Sequence, residues 1–437
     1  RPAFHGAQVA FLFPGQGSQS LEMLGDLAAA FPEVRGAFEA FDAALLAEGD
    51  DAVSPRIFPT TTLDHAGREQ ARQALTATEV AQPAIGAADV GMLRLLGSLG
   101  VEADLLGGHS FGELVALHAA GALSTADLAA LARTRGRLMR DAAARNPGAM
   151  SAILASPERA RDAIGSDVRV VVANLNGPRQ TVVSGPRDDV ARVAERARAQ
   201  GLRVVDLPVA CAFHSEAVAA AAGPLTEAAR SRISAAPDRS VFSNLDAAPH
   251  PNDPALIADR LGSHLASTVR FAQMVEAMHE TGARVFLEVG PGAALGNMTG
   301  AILGDRPHLS VSTDAPGRAG IPTLLRSLAR IAVAGVAFRP DRLTTGRDAR
   351  RIDPENPPAG DGSPSPSAST WLVNGSRSRP IAAPEPKRLG QAVETVTSAA
   401  SRDGRSAGPV ANGQLGAQRS STMKTTNRTD TPAPPAN

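Results

Sequence analysis

The pentapeptide Gly108-His109-Ser110-Phe111-Gly112 constrains this chain more than any other stretch. Apolar Leu105-Leu106 lead into it as a strand, and residues 113–120 lead out of it as a helix-forming run. A Gly-x-Ser-x-Gly pattern between strand and helix reads as a sharp turn that carries the serine on a strained tip. The glycines keep bulk away from that tip. The first N–H groups of the new helix point at it, where an oxyanion would develop. The plainer alternative is a glycine-rich strand-to-helix turn of the kind any α/β protein can contain.

The rest of the chain repeats the alternation. Val9-Ala10-Phe11-Leu12-Phe13 is a short buried strand, ended by Pro14 and the loop Gly15-Gln16-Gly17-Ser18-Gln19. Further buried strands are expected at 240–244 and 284–289, the latter stopped by Gly290-Pro291-Gly292. Helical patterns lie between them. The fold class is α/β, with a large α/β-hydrolase-like subdomain built on a central, mostly parallel sheet. A second unit lies inside it. Strand 149–154, a helix capped by Ser156-Pro157, strands 169–173 and 180–184 about an Asn176-Gly177-Pro178 turn, helix 188–200 and strand 202–207 give β-α-β-β-α-β, the ferredoxin-like order. The expected division is 9–147 and 209–345 for the large subdomain, 148–208 for the small one and 346–437 for a linker and largely disordered tail. The segment Ser369-Thr370-Trp371-Leu372-Val373, with the only Trp, stands out in that tail. An inserted domain leaves a cleft against its host, a favoured place for a ligand.

Composition removes several classes of function. Lys plus Arg and Asp plus Glu are 44 each in 437 residues, so no global charge draws the chain to nucleic acid or to a membrane. The single Cys211 excludes a disulfide framework and a cysteine zinc site. The nine His residues are scattered without metal-ligand spacing, so no metal is expected. No apolar run is long enough to span a bilayer. Arg1-Pro2-Ala3 shows neither an initiating Met nor a signal-peptide pattern, and the expectation is a piece of a longer cytoplasmic polypeptide.

A serine hydroxyl needs a base. His214, just beyond the last strand of the small unit, is placed to reach Ser110 across the junction; the alternative is a satisfied core or loop histidine. His109 adjoins the serine, but neighbouring side chains diverge at a sharp turn, so it reads as a prop for the elbow. Ser124 and Asp127 start a helix in which Leu128, Leu131, Arg135 and Leu138 share a face. Arg133, Arg137 and Arg140 fall elsewhere on the wheel, toward solvent. A guanidinium in an apolar stripe needs a partner: either an internal carboxylate, or a substrate carboxylate held by a bidentate clamp. Cys211 reads as a small pocket-lining residue.

Together these residues resemble the malonyl-CoA:acyl-carrier-protein transacylase family, in its form as the acyltransferase domain of type I polyketide synthases. Five motifs carry the resemblance in order over residues 9–303: Pro14-Gly15-Gln16-Gly17-Ser18-Gln19; Gly108-His109-Ser110-Phe111-Gly112-Glu113; Arg135 with Met139 following; Ala212-Phe213-His214; and Glu288-Val289-Gly290-Pro291-Gly292. The resemblance implies Ser110 as nucleophile, His214 as general base and the backbone N–H groups of Gln16 and Phe111 as the oxyanion hole. Arg135 would bind the malonyl carboxylate, and Met139, Phe213, Ala212, Cys211, His109 and Asn176 would complete the substrate site. His214 would be oriented by the backbone carbonyl of His264, where relatives often carry Gln. Cys211 departs from the His or Gly that polyketide members commonly have before Ala-Phe-His, which bears on fine extender-unit selectivity. The elbow Phe and the Trp371 segment resemble the iterative enediyne polyketide synthases. The implied partners are malonyl-CoA, an acyl carrier protein with its phosphopantetheine, and a neighbouring ketosynthase. No permanently bound cofactor is implied.

Two other classes share these features. A serine hydrolase or thioesterase would need an acid at His214, for which Asp206 is the nearest candidate between Ser110 and His214. A non-catalytic docking module would keep the fold alone, and an intact Ser110, His214 and Arg135 argue against it.

Overall fold

Residues 9–13 are apolar at every position, a pattern that fits a strand whose two faces are both covered. In the computed structural model, which describes residues 4–59, 64–166, 169–209, 211–346, 371–374 and 377–380, they lie at the centre of a sheet. The strands in chain order are β1 (Gln8–Phe13), β2 (Leu105–Gly108), β3 (Ala149–Ile153), β4 (Val171–Gly177), β5 (Gln180–Gly185), β6 (Val204–Asp206), β7 (Ser240–Val241), β8 (Ala283–Glu288) and β9 (Leu309–Ser312). The first sheet has the order β7-β2-β1-β8-β9, every neighbouring pair parallel. Alternate residues of β1 serve two cores. Phe11 and Phe13 pack with helices Pro32–Ala47 and Thr78–Ser98, whereas Ala10 and Leu12 pack with helices Phe271–Thr281 and Ala294–Leu303. Complete burial of a Leu or Phe side chain is worth about 1.5–3 kcal/mol. This two-sided burial therefore anchors the ends of the central strands, from which the Gln16 loop and the Ser110 turn follow.

The second sheet is antiparallel, with the order β4-β5-β3-β6. Helices Pro157–Ile164 and Arg187–Ala199 supply the two crossings of the β-α-β-β-α-β order. Ser156 caps the first of them, its hydroxyl accepting from the Arg159 N–H. Ile153 and Val183 pack under these helices with Ala160, Val190 and Val193. Met150, Ala152 and Val182, from the alternate positions, join the main core instead. The small sheet is also tied to the large unit through backbone. The Leu175 N–H donates to the Val269 carbonyl (2.9 Å), and the Val269 N–H donates to the Ala173 carbonyl (2.8 Å).

Two local expectations are corrected. Asn176 and Gly177 belong to strand β4 rather than to a turn, because Gly177 pairs with Gln180 and leaves Pro178-Arg179 as the loop. The strand expected at 240–244 ends at Val241. Beyond it the Ser243 N–H turns to the Ala248 carbonyl and the Asn244 N–H to the Glu113 carboxylate, so neither extends the ladder.

The chain divides at residue 349, with everything above in the first unit. In the second, β10 (Trp371–Asn374) and β11 (Arg377–Pro380) pair as an antiparallel hairpin. The rest of the expected linker and tail beyond residue 346 lies outside the described residues.

Candidate active site

Strand β2 ends at Gly108, and helix Gly112–Ala119 begins four residues later. Only glycine permits this crossing. A Cβ on Gly108 would collide with the backbone of Gly112, and one on Gly112 would collide with the Phe13 carbonyl. Ser110, between them, has φ +53°, in the left-handed region that costs a non-glycine residue of order 1–3 kcal/mol. The strain aims its hydroxyl out of the turn.

That hydroxyl meets two side chains. His214 Nε2 lies 2.9 Å from Ser110 Oγ, and Arg135 Nη2 donates to the same oxygen at 3.1 Å. His214 follows the small sheet and is itself at φ +57°. Its ring Nδ1–H donates toward two backbone carbonyls, Ser267 at 3.1 Å and His264 at 3.4 Å. This leaves Nε2 unprotonated, an acceptor for the Ser110 O–H. The His264 carbonyl expected as orienter is therefore the longer of two contacts, and Ser267, which sequence reasoning passed over, supplies the shorter. Burial pushes the His214 pKa well below the ordinary imidazole value, and the charges of His264, Arg135 and His109 push the same way. The ring is thus neutral at neutral pH, free to accept a proton at Nε2.

Arg135 lies on helix Thr125–Arg145, whose cap is the Ser124 hydroxyl accepting from the Asp127 N–H. It is 5% exposed, and no described carboxylate comes within ion-pair distance. Burial draws its pKa down to about 10, while Glu113 draws it up, so it remains charged. Arg133 requires a correction. It is buried too, donating to the Asp51 carbonyl at 2.7 Å and approaching Asp50 at 4.0 Å. Arg137 and Arg140 stand half exposed as expected. A wheel drawn for one core misplaced Arg133, because this helix also packs against the loop at 50–51.

The three side chains open on a cleft of about 700 Å³ between the elbow and the face of the small sheet that its own helices leave uncovered. Gln16, His109, Met139, Asn176 and Phe213 line it. His109 Nε2 donates to Asn176 Oδ1 at 2.8 Å, so the elbow is braced against the small sheet. The backbone N–H groups of Gln16 and Phe111 donate to no described protein acceptor. Cys211 and Ala212 do not line the cleft; both are 1% exposed, and Cys211 forms a short backbone bridge with Pro147. Burial pushes the Cys211 thiol up to about 12, which leaves it inert as a nucleophile. Asp206 is bonded to the Ser151 hydroxyl and to Arg198, so it is committed elsewhere than to His214.

Sequence reasoning also missed Asn174 and Gln180 on the cleft wall, and Asn244 and Glu113 beneath the elbow. Glu113 stood in the quoted motif without a role. Asn244 has no local signal, because its partner is 134 residues away.

A family model described as acyl transferase domain matches residues 10–327. The chain is 36% identical over 335 residues to mycoketide-CoA synthase of Mycobacterium tuberculosis, covering 75% of this chain and 8% of that protein. It is 34% identical over 298 residues to malonyl CoA-acyl carrier protein transacylase of Bacillus subtilis, covering 67% of this chain and 89% of that protein. Among solved structures, the acyltransferase domain from the second module of the salinomycin polyketide synthase superposes with a TM-score of 0.67 at 32% identity, covering 77% of this chain and 76% of that one. The chain thus spans a small part of the synthases it matches and most of the free-standing transacylase.

Proposed function

Since the chain belongs to the acyl transferase domain family and is an acyltransferase, we propose that it loads malonyl from malonyl-CoA onto Ser110 and passes it to the phosphopantetheine thiol of an acyl carrier protein. The observation that carries this reading is the convergence of His214 Nε2 and Arg135 Nη2 on one strained serine hydroxyl, with no described carboxylate bonded to Arg135.

In the first half-reaction, Ser110 Oγ attacks the thioester carbonyl and its proton passes to His214 Nε2. The Gln16 and Phe111 N–H groups receive the oxyanion. The carbon–sulfur bond breaks, and CoA leaves as the thiol with the proton from His214. In the second half, His214 takes the proton of the carrier's thiol, the thiolate attacks the acyl-serine, and the proton returns to Ser110 Oγ. Arg135 holds the malonyl carboxylate in both halves as a two-pronged clamp. Met139, Phe213, His109 and Asn176 shape the acyl site. No metal or bound cofactor enters the scheme. The division into 9–147 with 209–345, and 148–208, is the domain organisation this reading uses. The polypeptide would work in the cytoplasm beside a ketosynthase.

A hydrolase reading is less well supported, because His214 Nδ1 faces backbone carbonyls rather than a carboxylate. Intact-mass measurement after incubation with equimolar malonyl-, methylmalonyl- and acetyl-CoA tests the proposal. A malonyl adduct that is absent from Ser110→Ala is expected. An adduct on another residue, or rapid release of free malonate with no acyl-enzyme, would overturn it.

A further inference from the structure

A serine held at positive φ stays there only if its surroundings enforce it. Beneath the elbow lies one fully buried side chain that grips both sides of the turn. Asn244 Oδ1 accepts from the Ser110 N–H at 2.9 Å, and Asn244 Nδ2 donates to the Gly108 carbonyl at 2.8 Å. The residue is itself pinned at both backbone ends. Its N–H donates to Glu113 Oε2 at 2.8 Å, and its carbonyl accepts from the Arg270 N–H at 3.0 Å. Glu113 is 0% exposed and receives two further bonds on Oε1, from the Ser243 hydroxyl (2.9 Å) and from His250 Nε2 (2.8 Å). Because Glu113 is three residues after Ser110 on the elbow helix, these bonds close a ring from Ser110 through Asn244 and Glu113 back to the elbow.

We propose that Asn244, seated by Glu113, is a positioning residue for acyl transfer: its carboxamide fastens Ser110 in its strained conformation and occupies the Ser110 N–H. The proposal rests on the reading of Ser110 as nucleophile. It has a consequence for the oxyanion. The N–H of the nucleophile itself is consumed by Asn244 Oδ1, so stabilisation falls to the two N–H groups that have no described acceptor, Phe111 and Gln16. Both hydrogen bonds of the carboxamide are needed. An acceptor alone would hold Ser110 but not the Gly108 carbonyl, and the two anchor points together fix the direction in which Oγ leaves the turn. Misplacement of a reacting group by about 1 Å can cost 10²-fold in rate.

The test compares pre-steady-state acylation by malonyl-CoA in wild type, Asn244→Ala, Asn244→Asp and Ser110→Ala, with rates referred to folded protein. Asn244→Ala is expected to acylate roughly 10–100-fold more slowly with little change in KM, the signature of a mispositioned nucleophile rather than lost binding. Asn244→Asp covers the case in which the alanine variant fails to fold. Its protonated carboxyl can accept from Ser110 and donate to Gly108, whereas the ionised form has no donor and faces Glu113. The other titratable groups around it, His250, His264, His214, His109 and Arg135, are common to wild type. The ratio of the Asn244→Asp rate to the wild-type rate is therefore expected to rise on acidification. A wild-type rate in Asn244→Ala, or a flat ratio in Asn244→Asp, overturns the proposal while Ser110→Ala remains inactive. An adduct persisting in Ser110→Ala overturns the nucleophile reading itself, and the role of Asn244 with it.

Discussion

Arg135 is a buried cation whose one described side-chain acceptor is the serine hydroxyl, and that state makes it the most testable residue in the molecule. Sequence reasoning left two partners open for it, and the internal ion pair is absent among the described residues. Loss of the guanidinium should therefore fall on the substrate that carries a carboxylate. Arg135→Ala is expected to lose malonyl loading by about 2–5 kcal/mol while acetyl loading falls much less, and Arg135→Lys should recover only part. Equal losses on both substrates, measured as kcat/KM, would contradict the clamp. The same charge acts on His214. Burial first, then electrostatic interaction with His264, Arg135 and His109, hold its pKa below the ordinary value of 6.5. A base must be unprotonated, so a depressed pKa keeps it active at lower pH. The acid limb of kcat/KM should lie below the ordinary histidine range, and Arg135→Ala should move it upward. Acetyl-CoA is the substrate to use for this comparison, since it does not report on the clamp.

At the scale of elements, the elbow works because three backbones meet where no side chain fits. Gly108 and Gly112 were legible as the glycines of a sharp turn. Their closeness to each other and to the end of β1 was not, because β1 and β2 are separated by about a hundred residues and meet only as parallel neighbours. Gly112→Ala would drive a methyl group into the Phe13 carbonyl, which is backbone and cannot swing aside. The expected outcome is destabilisation by roughly 1–3 kcal/mol, read as a lower thermal midpoint, together with loss of acylation, because the Gln16 loop follows directly from β1. Arg133 teaches the same lesson for helices. One apolar stripe was visible in the heptad-scale spacing, but helix Thr125–Arg145 contacts more than one partner, and a single wheel cannot tell which polar positions a second partner will cover.

At the scale of the molecule, every side chain assigned to the cleft, and the cores that support it, belong to the unit that ends at residue 349. Removal of residues 350–437 is therefore expected to leave the malonyl-enzyme burst unchanged and the thermal midpoint within a few degrees. A large loss of either on truncation would show that the second unit supports the first. The small sheet contributes differently. Its helix-covered face makes its own core, and its other face supplies one wall of the cleft, with the His109–Asn176 bond spanning the two. The cleft thus draws on separated stretches of chain, near residues 16, 110, 135, 176 and 214.

Local pattern alone determined the α/β class, the elbow with Ser110 at its tip, the β-α-β-β-α-β order and the place of Arg135 in an apolar stripe. Each is written in short-range spacing: period two or 3.6 in the apolar residues, glycines at fixed offsets, a cation in an apolar stripe. The roles of His214 and Arg135, by contrast, were implied by the family resemblance. Tertiary structure decided what those residues touch. The Ser267 carbonyl that takes the His214 proton donor, the turning away of Cys211 and Ala212 from the cleft, the burial of Arg133, and the clamp of Asn244 across 134 residues all depend on long-range contacts. The strained φ values of Ser110 and His214 belong with them. A left-handed backbone at a serine or a histidine opposes local preference, and only the packing and hydrogen bonds of distant segments can impose it.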